Sequence, residues 1–266
     1  MSRSAIQRPR SVQWAAWSIP LLVVVIWQVT SQSGWIPPYI LPQPLDVFKA
    51  GIELWKTGEL QQGLKASALR AIIGFAIGGS IGFILGLLNG LFRTSEILLD
   101  STIQMLRNVP LLGLLPMVIL WFGIGETSKI FIISLAVLFP IYLNTYFGIR
   151  SIEPSLLETS KVYHLGPLEV FRNILLPGAL PSILLGIRYG LNFMWLVLIV
   201  AESISATSGI GYLATNARTF LQTDIIVLTI VIYALLGKLS EIIARTLESL
   251  LLPWHHTQLA KKIAQS

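Results

Sequence analysis

The sequence predicts an all-α, polytopic membrane protein of about six spans, and three observations carry that reading. Of the 266 residues, 54% are hydrophobic and only 12% are charged, roughly half the charge of an ordinary soluble domain. The mean hydropathy is +0.72. Charge is also missing over long stretches: residues 11–45, 71–92, 108–125 and 130–149 contain no Asp, Glu, Lys or Arg.

Apolar runs long enough to cross about 30 Å of hydrocarbon fall near residues 15–33, 66–91, 102–122, 129–149, 180–204 and 224–249. Six such helices consume roughly half the chain, which leaves loops, tails and at most one small helical excursion. A soluble catalytic domain is excluded. Cysteine is absent and the histidines, His164, His255 and His256, lack metal-ligand spacing, so no catalytic residue and no metal site is expected.

The formal net charge is +6. With the N-terminus in the cytoplasm, Arg3, Arg8, Arg10, Arg93, Arg150, Lys161, Arg172, Lys261 and Lys262 fall on the inner side, against Lys49, Lys56, Lys65 and Arg218 outside. This bias predicts N-in and C-in topology, and it explains the basic excess without a nucleic-acid partner. The expected organisation is a cytoplasmic tail over 1–14, a transmembrane domain over 15–252 with an inner loop at about 150–179, and a cytoplasmic tail over 253–266.

The first span follows Arg3, Arg8 and Arg10, as a signal peptide would, but no small-residue cleavage site closes it, so it is read as retained. Pro37, Pro38, Pro42 and Pro44 then make an extended connector. Beyond it Leu45, Phe48, Ile52 and Trp55 recur at helical spacing among Asp46, Lys49, Glu53 and Lys56, predicting a short amphipathic helix on the outer face. In the second span Gly74, Gly78, Gly82, Gly86 and Gly90 stand four residues apart and predict close approach of another helix. Trp14, Trp17, Trp35 and Trp55 suit an interfacial belt.

The inner segment 150–179 is too polar to span and too patterned for a linker. Pro154 and Ser155 open a helix expected over 156–165, and Gly166-Pro167 ends it. A second amphipathic stretch, 168–176, precedes Pro177 and Pro181, which are expected to restart the chain into the fifth span. Within this segment Glu158-Thr159-Ser160, three residues, His164, nine residues and Ile174-Leu175-Leu176-Pro177 reproduce the spacing Glu-Ala-Ala, three residues, Gly, nine residues, Ile-x-Leu-Pro. That pattern resembles the EAA loop of ATP-binding-cassette (ABC) importer permeases. Thr159 and Ser160 replace the alanines and His164 replaces the glycine, so Gly166 is expected to supply the flexible backbone instead.

Further segments resemble one branch of that family, the permeases for aliphatic sulfonates, taurine, nitrate and bicarbonate: Ile40-Leu41-Pro42-Gln43-Pro44, Arg107-Asn108-Val109-Pro110, Ile119-Leu120-Trp121-Phe122-Gly123-Ile124-Gly125-Glu126 and Ser208-Gly209-Ile210-Gly211-Tyr212-Leu213. Within the branch the likeness is greatest to the aliphatic sulfonate permeases. The resemblance implies a type I ABC importer fold and an alternating-access importer of a small oxyanion, an aliphatic sulfonate before taurine, nitrate or bicarbonate. It implies a bacterial cytoplasmic membrane and a homodimer that works with two ATP-binding-cassette ATPase subunits and an extracytoplasmic substrate-binding protein. ATP and Mg are expected on the ATPase partner and no cofactor on this chain. Consistent with that, Leu236-Gly237-Lys238 lacks the upstream glycine and the hydroxyl residue of a phosphate loop. Glu158, Thr159, Ser160, His164, Leu165, Gly166 and Pro177 would form the ATPase-coupling loop, although Glu158 also reads as a surface carboxylate near a helix N-terminus.

Ionisable residues inside spans are costly and therefore informative. Lys238, Glu241 and Arg245 are explained by snorkelling and intrahelical pairing. Arg107, Asn108, Arg188, Asn192, Ser203 and Ser205 can offer an anion donors and positive potential, with packing or carboxylate pairing as the other reading for the arginines. Glu202 would repel an anion and is cast as a gate or as the partner of a helix end or an arginine. Residues 205–223 read as a short re-entrant helix in which Asn216 and Arg218 meet a ligand or simply solvate the helix. Two rivals are an ion-coupled secondary transporter, which wants acidic residues or His near mid-membrane and an inverted repeat, and a membrane-embedded enzyme, which wants clustered His or carboxylates.

Overall fold

A computed structural model describes residues 10–253, with side chains from Ser18 onward. The predicted tails, Trp14, Trp17 and the His255-His256 pair lie outside the described residues or side chains. The elements are helices: α1 (Arg10–Gln32), α2 (Pro44–Thr57), α3 (Glu59–Leu91), α4 (Arg93–Asn108), a 3-10 turn (Leu111–Leu114), α5 (Leu115–Phe122), α6 (Glu126–Arg150), α7 (Pro154–Val162), α8 (Pro167–Val170), a π turn (Phe171–Leu175), α9 (Leu176–Ser205), α10 (Ile210–Thr219) and α11 (Thr223–Leu251). No strand occurs among the described residues. Four helices are long and apolar enough to cross a membrane: α3, the run Pro167–Ser205 through α9, α6 and α11. The bent pair α4–α5 makes a fifth if taken as one span, and Ser18–Gln32 of α1 is apolar but shorter.

The chain divides into two compact units, residues up to Gln61 with Leu213–Val231, and Gln62–Tyr212 with the residues from Ile232 on. In the first, the Trp27 indole N–H donates to Pro42 O at 2.9 Å and the Thr223 hydroxyl to Pro38 O at 3.2 Å. These bonds hold the proline connector, whose own prolines cannot donate. α2 is capped by Gly58 at φ 86, and it leaves Leu45, Phe48, Ile52 and Trp55 exposed while Val47, Ala50 and Leu54 are buried.

The second unit is built around α6, whose Ile132, Ile133, Val137 and Tyr142 are fully buried together with Val118 and Leu198. The glycine stripe of α3 lies directly on this helix. A Cβ at Gly74 would stand 2.5 Å from Ile133 Cγ2, and at Gly86 it would stand 2.7 Å from Thr145 Cβ. At Gly78 and Gly82 it would strike the backbone oxygens of Ser134 and Leu138. The close helix approach expected from the sequence is present, and α6 is the partner.

Two expectations fail for identifiable reasons. The third span is not one straight helix over 102–122: α4 and Leu111–Phe122 meet at 84°. Pro110 lacks an amide hydrogen and drives Val109 to φ −69, ψ 129, an extended conformation that ends α4. Conversely Pro177 does not break the chain, since helix runs from Pro167 to Ser205. The π turn explains this: Leu176 N–H bonds Phe171 O, one residue further back than in an α-helix, which widens the turn where the proline ring would clash.

Candidate functional site

The inner loop starts where α6 ends. Pro154 occupies the first turn of α7 with Glu153 extended before it, the usual geometry for a helix start. α7 is shorter than expected, ending at Val162. Ser160 is buried and donates to Leu157 O, and the Thr159 hydroxyl donates to Ser155 O at 2.8 Å. Glu158 is exposed and has no partner among the described residues. Val162 (76% exposed), one turn on, and Tyr163 and Leu168 further along the loop are bare apolar surface.

The turn after α7 corrects the sequence reading. His164, not Gly166, takes the left-handed conformation, φ 53, while Leu165 N–H reaches back to Ser160 O at 3.0 Å. Gly166 has φ −68, and its N–H donates to the Glu169 carboxylate at 2.8 Å. A Cβ there would meet only Glu169 Oε2 at 3.7 Å, so neither the backbone conformation nor the space at 166 requires a glycine. A β-carbon in the left-handed region costs about 1 kcal/mol. His164→Gly is therefore expected to keep or raise the unfolding temperature of the purified protein; a fall of several degrees in a thermal melt would mean that the imidazole makes a contact the strain serves.

At the N-terminal end of α6 an ionic cluster, buried except for Glu126, joins five helices of the second unit. Arg70 of α3 donates Nη1–H to Glu202 Oε1 and to Ser208 O, both at 2.6 Å, and Nε–H and Nη2–H to Glu126 at 2.5 and 2.8 Å. Lys129 donates to Glu126 at 2.9 Å. Glu202 of α9 also accepts from the Ser67 hydroxyl, from Gly211 N–H at 2.9 Å and from the Tyr233 hydroxyl at 3.3 Å. Ser67 Oγ accepts from Ile210 N–H at 2.9 Å. The carboxylate thus caps the first turn of α10 and satisfies its orphan amides. Gly209, φ 120, is required there twice over, since a Cβ would also lie 2.6 Å from Arg70 Nη1. Arg70, Lys129 and Glu202 are at most 3% exposed.

Two further polar sets brace the same unit. Asn89 donates to the Tyr142 hydroxyl, which donates to Asp100, each at 2.8 Å. Arg188 of α9 pairs with Glu248 at 2.9 Å and Glu241 at 3.3 Å on α11, and Arg245 holds Glu241 at 2.6 Å.

Beside the α4–α5 bend lies a cavity of about 470 Å³. Phe139, Leu143 and Asn144 line it from one face of α6, Tyr189 and Phe193 from successive turns of α9, and Arg107 from the last turn of α4.

Residues 78–252 match the family described as the binding-protein-dependent transport system inner membrane component. The chain belongs to that family. It is 56% identical over 241 residues, 91% of this chain and 92% of the relative, to a protein of Escherichia coli (strain K12) named as an aliphatic sulfonates transport permease, SsuC. To the taurine transport system permease TauC of the same organism it is 35% identical over 251 residues, 92% of this chain and 91% of the relative. Its fold matches a chain of the inward-facing MetNI methionine ABC transporter with a TM-score of 0.53 at 18% identity, covering 70% of this chain and 95% of that one. This permease therefore has the type I ABC importer fold and is an ABC transport permease of the inner membrane.

The residues singled out in the permease's sequence do not form one site. Arg107 lines the cavity, whereas Asn108 and Asn192 are exposed and are not among its lining residues. Arg188 is held by carboxylates. Ser203 and Ser205 donate back to Ile199 O and Ala201 O of their own helix, and Glu202 sits in the buried cluster. Lys238 is exposed, and Glu241 is shared between Arg245 of its own helix and Arg188 of another. Sequence reasoning missed Arg70, Asn144 and Tyr189. The signal for Arg70 is that it directly precedes the charge-free stretch 71–92. Nothing in the pattern distinguishes Asn144 and Tyr189 from other residues of apolar helices.

Proposed function

We propose that this permease imports small organosulfonates, aliphatic sulfonates before taurine, as a homodimer driven by two ABC ATPase subunits and fed by an extracytoplasmic binding protein. The observation that carries the substrate is the contrast between two relatives from one organism, 56% identity to the sulfonate permease against 35% to the taurine permease. ATP and Mg bind the ATPase partner, and this chain contributes no catalysis. Both termini lie in the cytoplasm, as the distribution of Lys and Arg favours, with the transmembrane domain over 15–252 between tails 1–14 and 253–266.

The inner loop, 150–179, is the grip of the ATPase. An exposed carboxylate without an internal partner, Glu158, beside exposed Val162 and Tyr163, is the mixed surface a protein partner covers. The loop is continuous with the spans: α8 runs without a break into α9, and α9 is in turn bonded to α6 by the Ser182 hydroxyl, which donates to Asn144 O at 2.7 Å. Closure of the ATPases pulls on a lever continuous with a transmembrane helix.

The test is uptake of labelled alkanesulfonate, taurine and nitrate into liposomes holding the complete complex, with and without ATP. Sulfonate uptake that needs ATP and exceeds taurine uptake is expected; equal rates for all three anions would remove the substrate assignment. Glu158→Ala is expected to lower uptake at least about ten-fold while ATP hydrolysis continues, since hydrogen bonds to a charged group contribute about 1.5–3 kcal/mol. Wild-type coupling in that variant would remove the grip.

A further inference from the structure

We propose that the cavity beside the α4–α5 bend is a binding site for the transported anion within the permease, with Arg107 holding the sulfonate group and the aromatic and aliphatic walls holding its alkyl tail. This rests on the sulfonate reading above and deepens it, because it gives the membrane subunit its own selectivity.

The first argument is charge. Arg70, Arg188 and Arg245 each have a carboxylate within ion-pair distance. Arg107 has neither an ion pair nor a hydrogen bond from its side chain among the described residues. A guanidinium cannot shed its proton. Arg107 is exposed on this chain, beside walls formed by Phe139, Leu143 and Phe193; a cation with no anion beside an apolar wall of a membrane protein is costly unless something completes it.

The second argument is what shares the cavity with it. Tyr189 presents a hydroxyl with no partner among the described residues, and Asn144 spends one amide hydrogen on Pro140 O at 2.8 Å and keeps the other. Three donor-bearing side chains, Arg107, Asn144 and Tyr189, line the cavity and no carboxylate does, so the site favours an acceptor-only, anionic group. Guanidinium geometry matches two oxygens of a tetrahedral oxyanion.

The third argument is size and composition. About 470 Å³ falls within the range of small-ligand sites, roughly 300–1,000 Å³, and is larger than a bare nitrate or bicarbonate needs. Most of the wall is apolar. An anion with a hydrocarbon tail uses both parts of the site, whereas an inorganic oxyanion uses only one. The backbone break at Pro110 shapes the arrangement, because it ends α4 at Asn108, one residue beyond Arg107, and turns the chain by 84°.

An anionic phospholipid presents the same chemistry, so the experiment separates the two sources. The permease–ATPase complex, without binding protein, is placed in nanodiscs of zwitterionic lipid and titrated with pentanesulfonate, and in parallel with dioleoylphosphatidylglycerol. Saturable pentanesulfonate binding is expected, weakened about ten-fold or more in Arg107→Ala, partly restored in Arg107→Lys, and weakened roughly three-fold in Tyr189→Phe. Pentanol should not compete, and methanesulfonate should bind more weakly than pentanesulfonate. Absence of saturable sulfonate binding to the wild type, or binding unchanged in Arg107→Ala, overturns the proposal. So does Arg107-dependent binding of phosphatidylglycerol with none of pentanesulfonate. These outcomes need no transport, so they are distinct from failure of the sulfonate reading, which appears as absent sulfonate uptake by the wild-type complex.

Discussion

Arg70→Ala is expected to destabilise the folded permease by about 3–5 kcal/mol, the usual cost of removing one member of a buried ion pair. The guanidinium is 3% exposed and donates to two carboxylates and to the backbone and side chain of Ser208. Without it Glu202 keeps the Ser67 hydroxyl, Gly211 N–H and Tyr233, but its charge is uncompensated in a site 1% exposed. Net stabilities of about 5–15 kcal/mol make that loss visible as a lower unfolding temperature and as aggregation of the detergent-purified protein. Arg70→Lys should fall between, because an ammonium cannot span Glu126, Glu202 and Ser208 at once. The decisive variant is Arg70→Met with Glu202→Gln. It removes one cation and one anion and leaves Lys129 and Glu126 paired at 2.9 Å, so it should recover much of the loss. Equal melts for Arg70→Ala and an exposed control such as Lys49→Ala would show that the cluster carries no stability.

The cluster also shows where sequence reasoning stops. That Glu202 needs a cation or a helix end follows from the cost of a carboxylate in a span. That the cation is Arg70, 132 residues away, does not, because periodicity describes one helix at a time. The spans themselves were legible because the bilayer sets their length and composition. Their continuity was less so. Pro110 falls inside the span read over 102–122 and Pro177 reads as a break, yet α4 ends before the first while helix continues through the second. The difference lies in the preceding turn, which at 171–175 is widened to a π turn, and no single-residue propensity reports that. At the inner loop the motif spacing pointed to a glycine position now held by His164. A search for the nearest glycine suggested Gly166, whereas the backbone kept the left-handed turn at 164 and accepted the strain.

The glycine stripe is the opposite case, a packing feature whose meaning was plain and whose partner was not, and it supports the other large expected effect. Gly78→Ala should cost more than a methyl added at any other glycine of the α3 stripe, because the new carbon meets the Ser134 carbonyl oxygen, its carbon and its Cα rather than a side chain that can rotate away. Relief requires moving α3 off α6, and with it the contacts at Gly74, Gly82 and Gly86 that depend on the same separation. Overpacking of a rigid contact costs typically about 1–3 kcal/mol or more, and helix propensity opposes it by only about 1 kcal/mol in favour of alanine. Gly237→Ala is the matched control: it also lies within a helix, but nothing stands within 4 Å of the added carbon, so it should be neutral or slightly stabilising. Gly79→Ala separates register from mere proximity. Its new carbon would meet the mobile end of Ile141 at 3.3 Å, and its effect should fall between the other two. The order Gly78, Gly79, Gly237 in decreasing loss of melting temperature is the expected result, and a Gly78→Ala protein as stable as the Gly237→Ala protein would mean that α3 and α6 do not approach each other this closely.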